Sequence, residues 1–73
     1  MSALGEAKAL LAQALGAPAD IGDDASIANT PAWDSLAHVR LMLALEERLG
    51  RKLTSEEAVR IASLRDLAEV LGG

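Results

Sequence analysis

The sequence predicts an all-α fold: a small antiparallel four-helix bundle, three main helices and a short third one, with a long first loop. Three observations carry this prediction. Apolar residues recur at helical spacing in four separate segments. β-Branched residues are few and scattered, and nothing alternates with period two, so no strand is signalled. Glycine, proline and capping-type residues stand where the helical patterns begin and end. The 73 residues predict a single domain spanning 1–73. That length exceeds the roughly 40 residues below which staples are usually needed, although the core must be small.

Taken in order, the first helix is predicted from about Ala3 to Leu15, with Leu4, Ala7, Leu11, Ala14 and Leu15 at helical spacing. Gly16 and Pro18 end it. A connection from Ala17 to Trp33 follows, rich in Gly, Asp, Asn and Pro, with Ile21 and Ile27 as apolar anchors. Connections of this length are usually functional. The second helix is predicted from Ser35 to Leu49, with Asp34 as N-cap and Gly50 as C-terminal stop. A short third helix begins near Thr54, where Thr54 and Glu57 have capping-box spacing. The fourth begins after Ser63, three residues before Asp66; Leu64, Leu67, Ala68 and Leu71 form its buried stripe and Gly72 ends it.

Composition excludes several function classes. The net charge of −4 and the lone aromatic, Trp33, offer neither a basic patch for phosphates nor a base-stacking platform, so nucleic acid is not an expected partner. No stretch reaches the ~20 apolar residues of a membrane span, and the N-terminal residues lack the basic region of a signal peptide. Cysteine is absent, so no disulfide framework exists. A monomer in the cytoplasm is expected. One His, no Cys and no EF-hand pattern after Asp23-Asp24 give no metal site; the two aspartates suit loop turns.

The second helix carries more apolar surface than a bundle needs. With Leu36 at zero and ~100° per residue, Leu41, Met42, Leu45 and Leu49 share one sector that suits the core. Leu36, Val39 and Leu43 form a second stripe, flanked by Arg40 and Glu47. Either another element covers this stripe or it docks a partner.

Asp34, Ser35 and His38 contain the residue types of a hydrolase triad, but a triad requires a third group that orients the histidine toward the serine. Asp34 is committed to capping, no G-x-S-x-G elbow is present, and so small a bundle has little room for a substrate cleft. No catalytic residue is assigned, and His38 reads as a partly buried helix residue near the loop. Ser35 is more suggestive. A helix N-terminus presents free N–H groups and the positive end of the dipole, a favourable place for a phosphate. The spacing fits an ordinary helix-start serine equally well.

A resemblance separates these two readings. The stretch DSLAHVRLMLALEERLG, from Asp34 to Gly50, resembles the phosphopantetheine attachment segment of acyl carrier proteins and related peptidyl or aminoacyl carrier domains. The family pattern is Asp-Ser-Leu followed by an amphipathic helix, often ending in Ala-Leu-Glu-Glu, an apolar residue and Gly; here that ending is Ala44 to Gly50. Asp23-Asp24-Ala25-Ser26-Ile27 resembles the Asp-x-Ser-Ile/Leu element of the first loop, and Ile61-Ala62-Ser63-Leu64 with Leu67 resembles the entry to the last helix. The resemblance implies a non-catalytic carrier with 4′-phosphopantetheine attached covalently to Ser35, and Asp34 serving transferase recognition as well as capping. It also implies partners: a phosphopantetheinyl transferase, an acyl- or aminoacyl-activating ligase, and downstream synthases or transferases docking on Leu36, Val39, Arg40 and Leu43. A chain without cysteine agrees, because the arm brings the thiol that holds cargo as a thioester.

The sequence departs from fatty-acid carriers, which usually place acidic residues soon after Asp-Ser-Leu. Here those positions are Ala37, His38 and Arg40, and Trp33 stands where a small residue commonly precedes Asp-Ser. A dedicated ligase or a secondary-metabolite pathway, polyketide or nonribosomal peptide, therefore fits better than fatty-acid synthesis. The competing classes are a fatty-acid carrier, an unmodified helical adaptor and, from Gly72-Gly73, a ubiquitin-like carrier. The last needs a mixed sheet, which the helical periodicity opposes.

Overall fold

The structure, a computed structural model, describes residues 3–16 and 21–72. Four helices make an all-α bundle: α1 (Ala3–Leu15), α2 (Ser35–Leu49), α3 (Ser55–Arg60) and α4 (Leu64–Gly72). Pro18, expected to help end α1, lies outside the described residues. α1 packs against both α2 and α4. The core between them is built from Ala7, Leu11, Leu41, Leu45, Leu64 and Leu67, closed by Ile61 and Trp33.

Local chemistry sets the helix ends. Gly16 and Gly50 both adopt positive φ, 70° and 73°, a conformation that carries a Cβ penalty for other residues. The Gly50 N–H returns to the Glu46 carbonyl, closing the last turn of α2. At α3, the Thr54 side chain accepts from the Glu57 N–H while the Glu57 carboxylate accepts from the Thr54 N–H, a complete capping box. At α4, the Ser63 hydroxyl accepts from the Asp66 N–H and the Asp66 carboxylate accepts from the Ala62 N–H. The arrangement differs from the box at α3 in that the Asp66 carboxylate reaches the N–H one residue before the Ser63 cap.

The long loop is organised from within. The Asn29 side-chain oxygen accepts from the Ser26 N–H and the Thr30 hydroxyl, and its amide donates to the Asp24 carbonyl. The loop then meets the α4 entry through an isolated antiparallel bridge, Ile27 N–H to the Ala62 carbonyl and Leu64 N–H to the Ala25 carbonyl. That bridge reverses the expected anchoring. Ala25 is buried, whereas Ile27 is 42% exposed, because its backbone is spent on the bridge while its side chain turns outward. Ile21 does pack against the core. In α4, Leu64 and Leu67 are buried and Ala68 and Leu71 partly so.

Candidate functional site: the start of helix α2

Asp34 has extended backbone and its carboxylate accepts the Ala37 N–H at 2.9 Å, while its carbonyl accepts from the His38 N–H. This is the N-cap geometry that satisfies one orphan donor of the first turn. Ser35 is the first residue of α2 and is exposed. It lines an open groove of about 520 Å³ together with Ile27, Trp33, Asp34, His38 and Val39. The groove is of the size that small-ligand sites have, roughly 300–1,000 Å³. An exposed hydroxyl at the dipole's positive end, beside a mostly apolar groove, fits a phosphodiester-linked arm.

The remaining predicted site residues surround this point. Leu36, Val39 and Leu43 are 60%, 54% and 60% exposed, so no element covers the second stripe. The reason lies in where the neighbours pack: Ala37, Leu41 and Leu45 are the residues α2 buries. Arg40 is exposed beside the stripe and pairs with no carboxylate among the described residues. Val59 of α3 is 80% exposed and is a further apolar residue of this kind that the helical periodicity of α2 could not reveal.

Two side chains in the groove have roles that sequence spacing did not indicate. Trp33 is only 2% exposed, and its indole Nε1–H donates to His38 Nδ1 at 3.1 Å. The other imidazole nitrogen, Nε2, lies 3.0 Å from the Ala58 carbonyl of α3. The lone tryptophan is thus part of the core at the N-terminal end of α2. Its signal in the sequence was its being the sole aromatic in a chain with too few large residues to waste one on solvent. His38 is half-buried and committed to Trp33 and Ala58 rather than to a serine–histidine pair.

Electrostatics around α3 are local. The Arg51 guanidinium holds the Glu57 carboxylate, at 3.0 Å, and together with the Thr54 backbone N–H lowers its pKa to about 2. Glu57 in turn raises the Arg51 pKa. Elsewhere Lys8 lowers the Asp23 pKa by hydrogen bonding and charge, and Glu6 raises that of Arg48. No cluster of His, Cys, Asp or Glu among the described residues could hold a metal. No helix of the described residues is long and apolar enough to cross a membrane.

The family model for the phosphopantetheine attachment site matches residues 6–71. Domains of this family receive 4′-phosphopantetheine covalently and work with a phosphopantetheinyl transferase and biosynthetic enzymes. The match takes in residues of all four helices, the capped start of α2 included, and the chain belongs to the acyl carrier protein family.

Proposed function

We propose that residues 1–73 act as one non-catalytic carrier domain whose Ser35 receives the 4′-phosphopantetheine arm. The observation that supports this assignment is the placement of Ser35: exposed, first in α2, directly after the Asp34 cap and beside the open groove. A transferase joins the arm from coenzyme A to the Ser35 hydroxyl through a phosphodiester, and the arm's thiol holds acyl or aminoacyl cargo as a thioester. Asp34 orients the serine by fixing the helix start and contributes to transferase recognition. The cytoplasm is the compartment proposed for this work.

Leu36, Val39 and Leu43 form the docking face for the loading ligase and downstream enzymes, with Arg40 at its edge. An apolar groove carrying an acidic group opposite Arg40 is the complementary surface, since charge complementarity sets encounter rate and rejects wrong partners. Fatty-acid carriers resemble this chain in overall pattern but present carboxylates where Arg40 stands, so a dedicated ligase or secondary-metabolite pathway is the better reading.

Incubation with a broadly specific phosphopantetheinyl transferase, coenzyme A and magnesium tests the assignment. Intact mass should rise by one arm, and Ser35→Ala should abolish the gain. An unchanged mass favours the unmodified adaptor; a gain that survives Ser35→Ala moves the site. Mass spectrometry of the protein from its native cell would then identify the cargo and, through it, the pathway.

A further inference from the structure

His38 is bonded on both sides by partners that leave it no choice of tautomer. The Trp33 indole can only donate, so Nδ1 must accept. The Ala58 carbonyl can only accept, so Nε2 must carry the hydrogen. A proton added to Nδ1 would point at the Trp33 N–H and leave that buried indole without its acceptor. The two rings are also stacked, with centroids 6.1 Å apart and planes at 28°. Helix α3 buries none of its own side chains, so it is fastened largely by what precedes and follows it and by backbone ties of this kind. Leu53 N–H donates to Glu46 before it, and Ile61 is buried after it.

We propose that His38 is a positioning residue that ties Trp33 to α3 and to the attachment end of α2, and that it accepts the Trp33 indole only while its imidazole is neutral, so that acidification keeps the α3 tie and loosens the Trp33 side of the groove beside Ser35. The consequence for arm and partner rests on Ser35 being the attachment residue; the joint itself does not. The charged groups on the elements that meet His38 are accounted for. On the loop side Asp34 is engaged with the Ala37 N–H. On α3, Glu57 is engaged by Arg51, and Glu56 by Arg60. Arg40, on α2 itself, is two residues away and exposed, and so lies on a different face of the helix from His38. None of these carboxylates replaces the Trp33 bond, because an indole N–H needs its acceptor at Nδ1's place.

The unmodified protein can test this directly, because it has one His, one Trp and no Tyr, and each probe therefore reports a single site. Imidazole nitrogen NMR at neutral pH should show the Nε2–H tautomer. Lowering the pH from about 8 to about 5, where histidine changes charge, should change Trp33 fluorescence and speed exchange of the Trp33 indole N–H about tenfold, the factor that one lost hydrogen bond implies. His38→Gln keeps an acceptor and a donor and should remove the pH response of the fluorescence while keeping the Trp33 indole N–H protected. His38→Leu should leave the Trp33 indole N–H unprotected at both pH values. An Nδ1–H tautomer at neutral pH, or unchanged fluorescence and indole exchange across this pH range, overturns the proposal. Failure of a transferase to modify Ser35 in the wild type would overturn the carrier assignment and leave these spectra as they are. A slower modification of His38→Leu, restored in His38→Gln, ties the joint to function.

Discussion

At the scale of single residues, the cap that Asp34 forms can be separated from the transferase recognition proposed for it. Asp34→Ala removes the acceptor of the Ala37 N–H and should destabilise the fold by about 1 kcal/mol. Asn caps as well as Asp, so Asp34→Asn should leave the denaturant midpoint nearly unchanged. If Asp34→Asn nevertheless slows modification of Ser35, the carboxylate's charge acts in transferase recognition apart from the cap. Gly50 gives a second residue-scale prediction. A Cβ there would meet nothing within 4 Å, so the whole cost of Gly50→Ala is its φ of +73°. That cost is about 1 kcal/mol, read as a lower denaturation midpoint with unchanged slope.

At the scale of elements, α2 uses one side for the core and leaves the other in solvent. Leu41 and Leu45 are fully buried while Leu43, between them, is 60% exposed. Leu43→Asp should therefore leave the melting temperature almost unchanged and impair loading by the protein's own ligase. A large loss of stability in that variant would remove Leu43 from the docking face. Arg40→Glu should slow the same loading step while improving recognition by fatty-acid synthesis enzymes, since it exchanges the sign of charge at the edge of the stripe. Helix α3 behaves differently because its order is electrostatic as well as apolar. The Glu57 pKa is lowered from 4.5 to about 2, chiefly by the Arg51 hydrogen bond and then by the Thr54 N–H. A depressed carboxyl pKa stabilises the folded form above the unfolded value and loses that effect as pH falls toward the folded value. Order in α3 should accordingly decline between about pH 4.5 and about pH 2, followed by amide exchange; because the pair is solvent-exposed, added salt should weaken the effect.

At the scale of the whole molecule, a small core leaves little reserve. A domain of this length has a stability of about 4–11 kcal/mol at the usual 0.05–0.15 per residue. Leu41→Ala or Leu67→Ala, each at a fully buried position, should cost about 2–5 kcal/mol. Either change would remove a large part of the total, so partial unfolding at ambient temperature should be visible by circular dichroism. The contrast with Leu43→Asp, a more drastic change at an exposed position, measures how sharply the molecule divides core from docking surface.

Much of this architecture was legible in the sequence because it is written in short-range signals. Helix ranges follow from apolar spacing, and the ends at Asp34, Gly50 and Thr54–Glu57 follow from groups that satisfy backbone donors and acceptors within four residues. The family resemblance rests on the same contiguous stretch, since Asp34, Ser35 and Leu36 are neighbours in the chain. Tertiary structure decided what depends on residues far apart. Periodicity separated two apolar sectors on α2, but only the packing of α1 against α2 and α4 left Leu36, Val39 and Leu43 in solvent. Ile27 looked like an anchor until the Ser26–Ser63 bridge took its backbone and turned its side chain outward. The Trp33–His38–Ala58 joint spans 25 residues between its outer members, and no local rule foretells that an imidazole will find an indole on one side and a carbonyl on the other. Such a contact exists only after the chain has collapsed, because burial is what obliges each polar group to find a partner.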